Sequence, residues 1–353
     1  MVAFEQEISA SDKKMMKKSH SEFRRDGISG DWILMVPGRA KKPGDLRTKK
    51  EKRKIAPFRT CRFEDPFENV DEKIIIGYPR TKNGDIRTDW DLLVLKNKYP
   101  AVVHFERKAI HRTSKFFEVI EGAGHHDLII TRDHKKDFPD LSREQAFRVL
   151  AAFRDRYLIL FQDKNIEYVS MFHNWGRGAG ASIFHPHYQI MGIPIVPPHI
   201  MHMLFGVDHY IRKHAQCAFC AMIAEEKKQR IRIIAENDMA IAFAPYASWS
   251  EFQVKIFPKK HSAGFENTLD AELQSVGDIL QLVLKKIRKN LGDPDYNFFI
   301  HTAPMREKKK YKKSFHWYIE VLPVYNTAAG FEFDTGMQIN VIDPDFAARI
   351  LKK

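Results

Sequence analysis

Apolar residues recur at helical spacing in two long stretches of the chain. From Ser142 they fall at Ala146, Val149, Leu150, Phe153, Tyr157 and Leu160, and from Thr268 at Leu269, Leu273, Val276, Leu280, Val283 and Ile287. Each pattern gathers its apolar side chains on one stripe of a helix, which another layer must cover. Ser142 and Gln145 have the spacing of a capping box, and Gly292 with Pro294 marks the end of the second helix. Short runs of strand character flank both helices. These are HDLIIT (126–131) and EYVSMF (167–172) around the first, and FQVKIFP (252–258) and YNFFIHT (296–302) around the second.

The polar residues beside these elements follow one order twice. Asp133-His134 precedes the first helix and His185-Pro-His-Tyr-Gln189 follows it; Lys260-His261 precedes the second and His316-Trp-Tyr-Ile-Glu320 follows it. His185 trails His134 by 51 residues, and His316 trails His261 by 55. A cysteine turn opens each set, Cys61-Arg-Phe-Glu64 and Cys217-Ala-Phe-Cys220. The pattern predicts an α+β protein of two duplicated units, each an antiparallel sheet with a helix laid across it. The first unit covers residues 1–200, including a basic N-terminal extension, and the second covers 201–353.

Composition narrows the class. Hydrophobic residues make up 44% of the 353 and charged residues 29%, a globular balance. No apolar run approaches the ~20 residues of a membrane span. Met1 to Lys18 lacks the apolar stretch of a secretory signal, and three cysteines make no disulfide scaffold, so a cytoplasmic protein is expected. The net charge of +13 is concentrated: residues 1–54 hold 15 basic and 8 acidic side chains, and residues 306–313 hold 6 and 1. Such patches suit phosphate-bearing small molecules as well as nucleic acid.

The chemistry concentrates after the first helix. In a strand, His185, His187 and Gln189 share one face. Upstream, Asn174-Trp-Gly-Arg-Gly-Ala-Gly-Ala-Ser182 is a glycine-rich loop joining strand to strand, so it is not the dinucleotide fingerprint, which needs strand then helix. Its backbone N–H groups, from Gly176 onward, can line an anion-binding concavity to which Asn174 and Ser182 add donors. A neutral imidazole attacks phosphorus, and a covalent intermediate divides one hard displacement into two easier ones. His187, central on the face, is the expected nucleophile, its second nitrogen donating to a backbone carbonyl. Gln189 can donate to a phosphoryl oxygen without acting as acid or base, which favours transfer over hydrolysis. The second unit carries His316, Tyr318 and Glu320 on the equivalent face, so only the first is expected to be catalytic.

His185 has a different expected task. Cys217, Cys220, His261 and His316 form the two-thiolate, two-imidazole set of a closed zinc site. Cys61, Glu64, His134 and His185 occupy the corresponding places in the first unit, with carboxylate for one thiolate. Two structural zinc ions are expected, with His125 and His126 as reserve ligands of the first.

Taken together, these residues resemble the galactose-1-phosphate uridylyltransferase family, a transferase branch of the histidine-triad superfamily. The match runs through Arg24–Trp32, Pro37–Pro43, Asn97-Lys-Tyr-Pro100, Asp133-His134, Asn174–Gly180, His185–Gln189, Pro258–His261 and Gly330–Met337. The resemblance implies histidine-triad half-barrels and ping-pong transfer of a nucleoside monophosphate through a nucleotidyl-histidine, placed on His187. It also implies phosphate contacts by Arg39, Asn174, Ser182 and Gln189, a nucleoside contact at Asn97, and a homodimer. Lys42 stands where the uridylyltransferases have a second phosphate-binding arginine. Their iron-binding histidines appear here as Glu320 and Leu322, so no such iron site is expected. Residues 330–340 and the second Cys-Cys-His-His set look more like the ADP-glucose phosphorylase relatives. The expected substrates are a nucleotide sugar with a sugar-1-phosphate, or with inorganic phosphate. Transfer of the UDP-glucose:hexose-1-phosphate type is placed first and ADP-glucose phosphorolysis second. A nucleic-acid-binding protein on the same fold is the alternative of another class, opposed by the intact His187 and Gln189 face.

Overall fold

The computed structural model describes residues 20–39, 56–69 and 74–353; Lys42 and most of the basic extension lie outside them. The first long helix is Arg143–Leu160 and the second Asp270–Leu291. Ser142 caps the first through the reciprocal Ser142–Gln145 pair, and Gly292, at φ 81°, ends the second. Their apolar stripes close on each other and on a sheet, in one core that includes Val149, Phe153, Val276 and Leu280. The two helices approach so closely at Gly277 that a Cβ there would lie 3.3 Å from Leu150.

Among the described residues, fifteen strands form three sheets. β1 (Glu22–Arg25), β2 (Trp32–Met35) and β15 (Ile339–Asn340) make a small sheet, and β5 (His111–Thr113) pairs with β6 (Glu118–Ile120) in a hairpin. The remaining ten are β3 (Ile74–Pro79), β4 (Trp90–Lys96), β7 (His125–Thr131), β8 (Tyr168–Trp175), β9 (His187–Ile193), β10 (Ile233–Glu236), β11 (Ala240–Phe243), β12 (Val254–Pro258), β13 (Tyr296–His301) and β14 (Tyr318–Pro323). They form one antiparallel sheet in the order β10-β11-β12-β14-β13-β8-β9-β7-β4-β3. From the central β13–β8 pair, one wing runs β8-β9-β7-β4-β3 and the other β13-β14-β12-β11-β10. Each wing visits its strands in the same relative chain order, and each long helix is the link from β7 to β8 or from β12 to β13.

Several expected boundaries move. β12 begins at Val254, because Phe252 holds a left-handed φ of 54° and breaks the extended run. β9 begins at His187, so His185 and Pro186 precede the strand; Pro186 has no N–H to give a ladder. The basic stretch 306–313 is not wholly a solvated charge run. It carries a helical turn at Lys308–Tyr311, with Tyr311 buried and Lys308 paired to Glu266 at 2.6 Å. The helix Pro198–His214 and the outer strands of each wing were not among the expected elements, although Ile200, Met203, Leu204 and Val207 of that helix have helical spacing. Among the described residues, no helix is long and apolar enough to cross a membrane.

Candidate active site

His187 opens β9 with its side chain almost fully buried, packed 5.7 Å from the ring of Phe63. Its Nδ1 lies 2.9 Å from the carbonyl oxygen of His185, which can only accept. Nδ1 therefore carries the ring proton, and Nε2 keeps its lone pair. Burial lowers its pKa to about 4, outweighing the carbonyl that favours the charged ring, so the ring is neutral at neutral pH.

The strand end that carries His187 is held from behind. The β8–β9 register ends at the pair His173–Tyr188, and His173 Nδ1 donates to the His187 carbonyl at 2.8 Å, one residue further on. His173 Nε2 meets Asp137 Oδ1 at 3.1 Å, and Tyr296 donates to Asp137 Oδ2 at 2.6 Å. Arg288, on the second long helix, stands 3.5 Å from the same carboxylate. Nothing in the sequence marked His173 or Asp137; their isolated positions carry no motif.

Gln189 lies two residues along the same face, and its Oε1 is 3.0 Å from His126 Nε2. Asn97 lies beside them, its Nδ2 3.1 Å from that same His126 nitrogen. Asn174, near the end of β8, has its Oδ1 occupied by Asn297 at 2.8 Å, which turns its amide protons the other way. The loop that follows is a short 3-10 turn, Arg177–Ala179, flanked by Gly176 at φ 86° and Gly180 at φ 90°. Both are left-handed positions where a side chain is strained. Ser182 is exposed beyond the turn, and Arg39 is exposed at the end of the 3-10 turn Pro37–Arg39. The structure thus gathers Gln189, Asn97 and His126 in one network two residues along β9 from His187, and sets Asn174 and the glycine turn at the end of the neighbouring strand.

Both expected metal clusters are assembled. Donor atoms of Cys217, Cys220, His261 and His316 lie within 4.8 Å of one another, and so do those of Cys61, Glu64, His134 and His185. A tetrahedron with metal–sulfur bonds of ~2.3 Å and metal–nitrogen bonds of ~2.0 Å has sulfur–nitrogen edges of about 3.5 Å. Cys220 Sγ is 3.3 Å from His261 Nδ1 and 3.5 Å from His316 Nδ1, and Cys61 Sγ is 3.5 Å from His185 Nδ1. In the second cluster, a hydrogen bond from Cys220 lowers the Cys217 pKa to about 5.

The first cluster gives a sharper test. His134 donates Nε2–H to the Ala56 carbonyl at 2.8 Å, and His185 donates Nε2–H to the Thr131 carbonyl at 2.6 Å. In the neutral rings both Nδ1 lone pairs therefore face Glu64 Oε1, at 2.7 and 3.3 Å. Such facing acceptors are reconciled by a cation between them, and main-chain carbonyls on the outer nitrogens are the usual support of metal-bound imidazoles. Glu64 fits the place of the second thiolate.

The reserve ligands fall elsewhere. His104, His125 and Asp163 also converge, beside a cleft of about 570 Å³. There Arg156 Nη2 reaches His125 Nδ1 at 3.2 Å while its Nε is held by Asp127 at 2.7 Å. A guanidinium only donates, so His125 Nδ1 accepts and its Nε2–H donates to Asp163 at 2.9 Å. That nitrogen has no lone pair for a metal. His126 is committed to Gln189.

Comparison with known proteins places this geometry. Residues 97–353 match the family model DUF4921, a domain of unknown function. The chain is 30% identical over 344 residues to ADP-glucose phosphorylase of Arabidopsis thaliana, covering 97% of this chain and 95% of that protein. It is 24% identical to galactose-1-phosphate uridylyltransferase of Thermotoga maritima, covering 94% and 98%. The crystal structure of an Arabidopsis thaliana ADP-glucose phosphorylase with bound ADP-glucose superposes with a TM-score of 0.79 at 29% identity, over 95% of this chain and 99% of that one.

Proposed function

We propose a definite transfer for this chain, which belongs to the DUF4921 family and to the galactose-1-phosphate uridylyltransferase-like nucleotidyl transferases: it moves AMP from an ADP-sugar to inorganic phosphate through His187. The observation that carries the covalent step is the His187 ring, whose Nδ1–H is tied to the His185 carbonyl while Nε2 keeps its lone pair. Nε2 attacks the α-phosphorus, the bond to the bridging oxygen breaks, and sugar-1-phosphate leaves with the electron pair. A phosphate oxygen then attacks the same phosphorus, the P–N bond breaks, and ADP leaves with His187 neutral again. Gln189, Asn174 and the Gly176 turn donate to the phosphoryl oxygens, where charge develops in both steps. Asn97 lies beside the nucleoside, and Arg39, Lys42 and Ser182 serve the outer phosphate.

The preference for the adenine nucleotide rests on the full-length 30% match to an ADP-glucose phosphorylase and on the second Cys-Cys-His-His cluster. It reverses the order drawn from the sequence, where uridylyl transfer to a hexose-1-phosphate stood first. The Thermotoga maritima match keeps uridylyl transfer as the second reading. Product analysis separates them. ADP and glucose-1-phosphate formed from ADP-glucose and phosphate support the first; turnover of UDP-glucose with galactose-1-phosphate alone would replace it by the second.

We read both metal clusters as structural zinc sites. They close the chain around the active strand and take no part in the steps. The mirrored strand order supports reading residues 1–200 and 201–353 as duplicated histidine-triad-like half-barrels, of which the second has lost its nucleophile. We read the assembly as a homodimer.

A further inference from the structure

Gln189 can serve the phosphoryl group only if its amide, not its carbonyl, faces the substrate. A primary amide is nearly symmetric in shape, so something must choose. We propose that His126 is the positioning residue that makes this choice: its Nε2–H holds Gln189 Oε1 and so presents the Gln189 Nε2 protons to the transferred phosphoryl group. This rests on the nucleotidyl-histidine reading given above.

The assignment follows from one backbone donor. The N–H of Ala101 points at His126 Nδ1 at 3.1 Å, and a backbone N–H can only donate. Nδ1 is therefore the accepting nitrogen, and the single proton of the neutral ring sits on Nε2. From there it meets Gln189 Oε1 at 3.0 Å. With Oε1 held, the Gln189 Nε2 protons are left for the substrate.

Asn97 is set by the same logic. Its Oδ1 accepts from the Tyr99 N–H at 3.0 Å, which fixes its orientation. Its Nδ2, 3.1 Å from a protonated Nε2, finds no acceptor in that ring. Both amides are thus arranged as donors around one imidazole, and the choice is made by the Asn97-Lys-Tyr-Pro100 turn that delivers the Ala101 N–H. This gives that motif a physical role beyond contact with the nucleoside. His126 does not touch the substrate; it acts through Gln189.

Two variants and one spectrum test this. His126→Leu removes both polar atoms, whereas His126→Gln restores an acceptor for Ala101 and a donor for Gln189 at nearly the ring positions. Single-turnover formation of the nucleotidyl adduct, with ADP-glucose and with UDP-glucose as donors, should slow about 10- to 100-fold in His126→Leu, the scale of losing one aligned donor. The half-saturating donor concentration and the thermal midpoint should stay close to the parent values, and His126→Gln should recover most of the rate. Long-range 1H–15N correlation of the ligand-free parent should show His126 protonated on Nε2. A parental rate in His126→Leu, absence of rescue by His126→Gln, or a proton on Nδ1 would each overturn the assignment. If the parent protein forms no adduct with either donor, the transfer reading falls instead, and the spectrum still decides the tautomer.

Discussion

At the level of single residues, three imidazoles in the first wing are tuned by which main-chain group they meet. His187 Nδ1 faces a carbonyl and His126 Nδ1 faces an N–H, so one ring offers a lone pair at Nε2 and the other a proton. His185 donates to a carbonyl from Nε2, where His187 does so from Nδ1, and turns its own Nδ1 to the first cluster. The alternation of polar residues in His185–Gln189 was legible in the sequence. The His187 tautomer was expected as well, though not its partner; those of His126 and His185 were not, because they depend on backbone atoms of Ala101 and Thr131 that no side-chain pattern reveals. The Glu64 reading has a direct consequence. Glu64→Ala should release one metal equivalent per chain, and Glu64→Cys should keep it; elemental analysis of the purified variants checks this.

Element by element, the two long helices were recovered nearly to the residue, because capping and a one-sided stripe are local signals. Ser142→Ala should cost about 1 kcal/mol, the usual worth of such a cap, read as a lower urea midpoint with unchanged slope. Strands were harder. β4 and β11 are buried along most or all of their length, so period-two alternation is absent, and β15 joins the β1–β2 hairpin only through long-range pairing. On the second wing, the place of Gln189 is taken by Glu320, buried and 2.9 Å from His301. Desolvation pushes its carboxyl up, but Lys255, His301 and Trp249 outweigh it and hold the pKa at about 2. A carboxyl lowered on folding stabilises above its unfolded pKa, ~4.3, and loses that contribution as pH falls toward 2. Glu320→Gln should therefore narrow the stability gap between pH 7 and pH 3, as measured by thermal midpoints at the two values.

Across the whole molecule, the second wing supports the first rather than repeating it. Tyr296 and Arg288 meet Asp137, Asp137 meets His173, and His173 holds the His187 carbonyl, so residues of one wing set the strand that carries His187 in the other. The first metal cluster does the same through His185, whose carbonyl fixes the His187 tautomer. Removing metal with a strong chelator should lower both the thermal midpoint and the rate of adduct formation, and zinc should restore both. The recurring histidine offsets were visible in sequence; the sharing of one sheet through β8 and β13 was not, since pairing between distant strands leaves no periodic trace.

The account stands or falls on a covalent bond at one atom. The parent protein and His187→Gly are each incubated with ADP-glucose, and the intact masses are read, followed by peptide mapping of any adduct. The expected result is an AMP-sized increment on the parent alone, on the peptide containing His187 and removed by inorganic phosphate with release of ADP. An increment of the same size on His187→Gly, or turnover of ADP-glucose by that variant at the parental rate, would contradict it.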